Sequence, residues 1–259
     1  MRKKIREVIH KTGNYMEIDM FPVTSTTKRT GARKKKFKPT SAAQANLNQR
    51  NREKYILRLM RENFTENDIE ITLTYSDNPT KEEALKRHAK YIRQVRAAAR
   101  KRGKEIKALY THEQQKSGKI HHHTTITGVL SRDEFESLWK YGRANARRLQ
   151  FGRDGLEGLA KYKAKEAARS DRGIYRTMGM TRNMKKPEKI TRDGHITQKE
   201  MINSVNGNWC AADFERRYKG YTYLGHKIVY NDFNGNFYVY VDMIRTERLK
   251  RGKGEPLQT

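Results

Sequence analysis

The pattern of apolar and polar residues predicts β-strands in the middle of the chain. In residues 69–75, Ile, Ile, Leu and Tyr alternate with Glu and Thr, the period of two that is typical of a strand with one buried face. "EIKALYTHE" (105–113) and "IHHHTTITGVL" (120–130) are joined by the polar segment "QQKSGK", which predicts a β-hairpin. "RANARRLQF" (143–151) predicts one more strand.

Helical patterns separate these strands. Thr80 and Glu83 form a capping box, and apolar residues recur at helical spacing from there until Gly103. Further helices are predicted over residues 41–63, 131–139 and 155–168. The order strand, helix, hairpin, helix, strand, helix favours an α+β fold, in which helices flank a central antiparallel β-sheet.

The chain divides by pattern into three segments. We expect a basic N-terminal arm and a packing helix over 1–63, with one possible strand at 15–21, and a core over 64–170. Residues 171–259 predict a basic loop to about residue 200 and then a C-terminal extension. That extension contains helices near 197–205 and 208–217 and a β-hairpin whose turn is Asn234-Gly235.

Charge changes this picture from a fold to a function class. The chain has 57 Lys and Arg against 29 Asp and Glu, a net charge of +28, so its natural partner is a polyanion, with nucleic acid as the leading candidate. We expect no membrane association and, with Cys210 as the only cysteine and no signal-peptide pattern, a bacterial cytoplasmic protein. The predicted phosphate contacts lie in two basic runs: Arg33, Lys34, Lys35, Lys36, Arg182, Lys185 and Lys186.

Three consecutive histidines in the second hairpin strand predict a metal site. Because residues two apart share a face of a strand, His121 and His123 project together, whereas His122 points to the buried side. The turn is centred near residue 117, which places Glu113 across from His121. Two imidazoles and a carboxylate suit a divalent ion such as Mn²⁺, Mg²⁺ or Zn²⁺. The alternative is a polar strand surface without metal.

The helix over 155–168 offers a nucleophile. Its predicted buried stripe contains Leu156, Ala160 and Ala167, so Tyr162 and Lys165 lie together away from that stripe. With the hairpin and the basic charge, the pair predicts covalent catalysis on DNA, in which the tyrosine oxygen attacks a phosphodiester and the lysine supports the charge. Ordinary surface decoration of a helix is the other interpretation of these two residues.

Three segments in this order resemble rolling-circle replication initiators of the HUH endonuclease superfamily. "ITLTYSDNP" (71–79) resembles their first motif, "KIHHHTTI" (119–126) their paired-histidine motif, and "YKAK" (162–165) their single-tyrosine motif. Other segments resemble the version found in Gram-positive bacteria, their phages and mobile elements. One residue departs from the pattern: His122 stands where a bulky apolar residue is usual, so we expect His122→Leu to be tolerated.

The resemblance implies an antiparallel sheet flanked by helices and an enzyme that nicks single-stranded DNA at a replication origin through a covalent 5′-phosphotyrosine. It assigns Glu113, His121 and His123 to Mn²⁺ or Mg²⁺, Tyr162 to the attack and Lys165 to its support. The sequence contains no G-x-x-x-x-G-K-[ST] motif, so a host helicase and a host polymerase are the expected partners. A relaxase or transposase of the same superfamily, and a non-catalytic basic nucleic-acid-binding protein, are the alternatives.

Overall fold

The computed structural model describes residues 4–23, 42–115, 117–151, 156–168, 178–231 and 235–247, with side chains absent from the description at 42–47, 165–168 and 231. The described residues form the following strands and helices in chain order: β1 (Lys4–Thr12), β2 (Tyr15–Val23), α1 (Ala42–Asn63), β3 (Ile69–Leu73), α2 (Lys81–Arg100), β4 (Ala108–Gln114), β5 (Ile120–Ile126), α3 (Arg132–Ser137), β6 (Ala144–Arg148), α4 (Glu157–Ala168), β7 (Met178–Met180), β8 (Glu188–Asp193), α5 (Gln198–Val205), α6 (Ala211–Arg217), β9 (Tyr221–Asn231) and β10 (Asn236–Arg245).

The chain splits into two compact units. The site unit is Pro39–Lys186, and the terminal unit combines Met1–Lys38 with Pro187–Thr259. Each unit contains one antiparallel five-stranded sheet among its described residues. These limits differ from the predicted boundaries after residues 63 and 170, because α1 and β7 fall in the same unit as the predicted core.

The sheet of the site unit has the order β6-β3-β5-β4-β7, and helices cover both of its faces. One face packs on α2 and α3, where Tyr91, Val95 and Phe135 are fully buried with the inward residues of β3. The other face packs on α1 and α4 through Leu59, Leu109 and other apolar side chains. The alternation of side chains along each strand therefore supplies both cores.

The terminal unit has a sheet of order β8-β1-β2-β10-β9 with α5 and α6 packed on it. Strands β1 and β2 form a tight hairpin whose turn contains Gly13 at φ 56°, a conformation that favours glycine. Its core includes Ile18, Met20 and Phe214, each fully buried. Within the described ranges, no helix combines the length and the apolar character that crossing a membrane requires.

The predicted α+β class with antiparallel pairing is confirmed, and three strands correct the local predictions. Strand β1 lies where only an arm was expected, and β7 and β8 lie in residues 171–200, which were predicted to be a loop. Strand β8 escapes prediction because nearly all of its side chains are exposed and charged, so it carries no alternation. Strand β7 is only three residues long.

Three buried histidines meet in the core under α2. His88, His112 and His122 have ring centroids 4.7 to 4.9 Å apart, and each ring is almost completely buried. Burial lowers the pKa of His88 and of His122 well below its usual value, and the neighbouring histidines add to that effect. Both rings are therefore neutral at pH 7.

This cluster makes the fold sensitive to mild acid. A folded-state pKa below that of the unfolded chain, about 6.5, means that the unfolded state binds more protons as the pH falls, so stability is lost. Each such histidine costs up to about 1.4 kcal/mol per pH unit below that value. We expect a lower melting temperature at pH 5.5 than at pH 7.5, and a smaller difference in His88→Leu. An equal pH difference in parent and variant would contradict this account.

Candidate metal centre and nucleophile

The hairpin of β4 and β5 brings three potential ligands together. Glu113 is paired with His121 in the strand register, and His123 lies two residues further along the same face. Ligand atoms of Glu113, His121 and His123 all lie within 4.8 Å of one another. This is a spacing that a single ion with bonds of about 2.0–2.2 Å can bridge.

Neighbouring polar groups hold both imidazoles through their Nδ1 atoms. The hydroxyl of Thr72, opposite His123 in β3, lies 3.3 Å from Nδ1 of His123. The side-chain amide of Gln115 lies 3.3 Å from Nδ1 of His121. An imidazole bonded through Nδ1 keeps Nε2 for a ligand, which is the usual arrangement around protein-bound metals. The first motif thus contributes Thr72 as an orienting residue, one that the sequence analysis did not identify.

The charges of the three residues also suit a cation. Hydrogen bonds from His123 and then from Tyr162 lower the pKa of Glu113 to about 2, against the opposing effect of burial, so its carboxylate is ionised at neutral pH. Burial lowers the pKa of His121, which favours its neutral form. A carboxylate with two neutral imidazoles fits a divalent transition-metal ion better than Mg²⁺, which prefers oxygen ligands.

Tyr162 of α4 lies directly on this group. Its hydroxyl donates a hydrogen bond of 2.9 Å to Oε2 of Glu113 and lies 3.0 Å from Nε2 of His123. The tyrosine ring meets the His123 ring edge-on, with 5.0 Å between centroids. The side chain remains 38% exposed, so the hydroxyl is accessible to a substrate from solvent. The structure therefore brings together four of the five predicted catalytic and metal residues.

The fifth residue, Lys165, lies within α4, but its side chain is outside the described residues. A different lysine, Lys163, is fully buried beneath the site. Its Nζ donates 2.8 Å to Oε1 of Glu70 and 3.2 Å to the main-chain oxygen of His123. The hydroxyl of Thr125 donates to the other oxygen of Glu70 at 2.5 Å. The sequence analysis missed Lys163, although it lies three residues after Ala160 on the same buried stripe.

We expect Lys163→Met to destabilise the protein by about 3–5 kcal/mol, because it leaves the half of a buried pair that is charged without its partner. Glu70 is that partner, with a side chain only 16% exposed. Chemical unfolding measures the change. The double variant Lys163→Met with Glu70→Leu is expected to recover much of the loss, since neither charge remains. Equal loss in the single and double variants would show that the pair itself has no such role.

His122 lies on the opposite side of β5, as predicted, and is completely buried. Its Nδ1 lies 2.7 Å from Nδ1 of His112, and its Nε2 lies 2.7 Å from the hydroxyl of Tyr75, which donates to the main-chain oxygen of Ala84. Both ring nitrogens thus have hydrogen-bond partners. The expectation that leucine is tolerated at this position must be revised, because leucine removes both bonds from a buried site.

The predicted phosphate contacts lie in different parts of the structure. Arg182, Lys185 and Lys186 are exposed in the site unit after β7. Asn63 at the end of α1 fixes this segment, since its side chain exchanges two 2.8 Å hydrogen bonds with the main chain of Lys185. Residues 33–36 are outside the described residues, so the contacts predicted there stay a prediction.

Comparison with known proteins identifies one related family. No curated protein and no solved structure matches the chain. Residues 68–167, however, match a family described as replication-associated protein, of the ORF2 type. The match begins just before β3 and ends within α4, so it contains Glu113, both outer histidines and Tyr162. Over residues 68–167 the chain is therefore similar to the replication-associated proteins of that family, in agreement with its resemblance to rolling-circle replication initiators.

Proposed function

We propose that this protein initiates rolling-circle replication by nicking one strand of DNA at an origin and becoming linked to it through Tyr162. The observation that carries the proposal is the hydrogen bond from the Tyr162 hydroxyl to Glu113, within a group of two histidines and one carboxylate that can hold a metal ion. A nucleophile beside such a group is what phosphodiester transfer requires. The family match over the same residues supports replication as the context.

In the proposed reaction, Oη of Tyr162 attacks the phosphorus of a phosphodiester and the bond to the 3′ oxygen breaks. The products are a 5′-phosphotyrosine and a free 3′ hydroxyl, and the proton lost by the phenol is balanced by the proton that the 3′ oxygen takes up. One phosphodiester replaces another, so the bond energy is conserved and a later 3′ hydroxyl can reverse the step. The free 3′ hydroxyl is the primer that a host polymerase extends.

Glu113, His121 and His123 are the residues that would hold the metal, for which we propose Mn²⁺. A divalent ion bound there supplies a Lewis acid for the phosphate oxygens. The chain's own residues position the nucleophile: Lys163 ties α4 to β5, and Glu113 fixes the tyrosine hydroxyl by accepting its hydrogen bond. Lys165, one turn beyond Tyr162, is proposed to face the phosphate.

The rest of the assignment concerns the substrate. The net charge of +28 suits single-stranded DNA, and we propose that the exposed Arg182, Lys185 and Lys186 contact its phosphates, together with the basic run 33–36. Unwinding by a host helicase completes the scheme, which takes place in the bacterial cytoplasm. Relaxases and transposases use similar chemistry on other DNA substrates, so the sequence cut is what distinguishes them.

One experiment tests this proposal. The full chain is incubated with Mn²⁺ and single-stranded DNA of random sequence, and covalent protein–DNA adducts are isolated on a denaturing gel. We expect adducts whose DNA shares one short sequence and whose linkage maps to the peptide containing Tyr162. DNA binding without any adduct would favour a non-catalytic binding protein, and an adduct on another residue would reject the assigned nucleophile.

A further inference from the structure

The site unit contains a second concave surface on the face of its sheet opposite to Tyr162. A cavity of about 540 Å³ lies between the C-terminal half of α2 and the segment that follows β7. Tyr110 lines it from β4, three residues before Glu113, so the two side chains point to opposite faces. The cavity is thus separate from the candidate metal centre.

Three arginines give this cavity a positive rim. Arg96 and Arg100 lie one helical turn apart on α2, and Arg182 lies on the opposite wall. Within the described ranges, none of the three forms a salt bridge. Glu105 is the one acidic residue of the lining, and it lies 3.4 Å from the side-chain amide of Asn183. The lining therefore carries a net positive charge with unpaired guanidinium groups.

The floor of the cavity is apolar. Ile92 and Ile106 are buried there, beside the ring of Tyr110, and Met180 is 38% exposed at the edge. Gly179 lets β7 approach closely, because a Cβ at this position would lie 2.4 Å from the Tyr110 ring. An aromatic ring and a thioether next to a rim of arginines offer a surface for a planar base and for its phosphate at the same time.

We propose that this cavity binds one nucleotide, with its phosphate on Arg96, Arg100 and Arg182 and its base over Tyr110 and Met180. Its volume lies in the range of sites for small ligands, and guanidinium groups bind phosphate with two parallel hydrogen bonds. Strand β7 is the edge of the sheet, and Tyr110 lies about 10 Å along β4 from Glu113. A DNA strand held at Tyr162 can therefore pass round this edge and place a neighbouring nucleotide in the cavity.

The presence of a DNA strand rests on the proposed function, whereas the nucleotide chemistry does not. A free nucleoside triphosphate carries the same groups, so the experiment has one arm for each source. Both arms use the full chain with Tyr162→Phe, which cannot cut its ligand. Binding is then measured without cleavage, and a failure of the nicking proposal does not affect the result.

The first arm measures binding of fluorescent oligothymidylate by anisotropy at several salt concentrations. We expect Arg96→Gln with Arg100→Gln to weaken binding about tenfold and to reduce the slope of log K against log salt by about 1.4, the value for two phosphates on a single strand. Lys90→Gln with Arg93→Gln is the matched control, since it removes the same charge from α2 outside the cavity. The second arm measures binding of dATP to the same proteins.

Each outcome decides the proposal. Weaker DNA binding in the cavity variant alone supports a DNA strand as the source, and loss of dATP binding with unchanged DNA binding identifies a free nucleotide. If neither ligand is affected, or if the control loses as much DNA affinity as the cavity variant, the cavity is not a nucleotide site. Crosslinking of iodouracil-containing DNA to the peptide with Tyr110 or Met180 provides a direct check of the base position.

Discussion

Tyr162→Phe is expected to abolish nicking and adduct formation, with a loss of at least about a thousandfold in cleavage rate. The substitution removes only the hydroxyl, which donates to Glu113 at 2.9 Å. The ring can keep its edge contact with His123, and the basic surface is untouched, so single-stranded DNA should bind nearly as well as to the parent. Cleavage of a labelled oligonucleotide and a denaturing gel measure the two losses.

Two controls separate the nucleophile from other tyrosines. Tyr55 is 39% exposed on α1, almost the same exposure as Tyr162, so Tyr55→Phe is matched in chemistry and accessibility and should keep full activity. Tyr175 follows α4 outside the described residues, and Tyr175→Phe should also remain active. A covalent adduct that persists in Tyr162→Phe would reject the assignment.

His121→Ala is expected to eliminate both metal binding and cleavage. Its imidazole contributes one of three ligand atoms that lie within 4.8 Å of one another, and it has no hydrogen bond to Tyr162 among the described contacts. Mn²⁺ at a hundred times its dissociation constant stabilises a folded protein by about 2.7 kcal/mol. The melting temperature of the parent should therefore rise with Mn²⁺, that of His121→Ala should not, and a chelator should reverse the rise.

Two other histidines test whether this effect is specific. His195 is exposed in the terminal unit, so His195→Ala should respond to Mn²⁺ as the parent does. His122→Leu should also bind Mn²⁺, since His122 lies on the other face of β5, but it should lose about 1–3 kcal/mol of stability because Nδ1 of His112 loses its partner. Loss of Mn²⁺ binding in a folded His122→Leu protein would contradict the placement of the ligands.

The sequence was sufficient for those parts of the site that depend on local geometry. The position of the turn after Gln114 determines the register of the hairpin, and the register determines that Glu113 faces His121. Alternation along β5 likewise separates His122 from its neighbours. The capping boxes at Thr80 and Ser131 mark the starts of α2 and α3. Each of these predictions needs only residues that are close in the chain.

Features that depend on distant residues were not predictable in this way. The contact of Lys163 with Glu70 joins residues 93 positions apart, and the cluster of His88, His112 and His122 joins three elements whose spacing follows no period. Strands β2 and β10 pair to form the second sheet, although more than 200 residues separate them. Local patterns indicate which faces are apolar, but they do not identify the partners that cover them.

The buried anchor next to Tyr162 also has a mechanical consequence. Once a DNA strand is linked to Tyr162, any tension that a helicase or polymerase applies to that strand enters the protein at this residue of α4. Lys163 passes the load to Glu70 of β3 and to the main chain of His123 in β5, and both strands are interior members of the sheet with a neighbour on each side. A pull on the DNA must then shear paired strands, rather than peel a surface helix away.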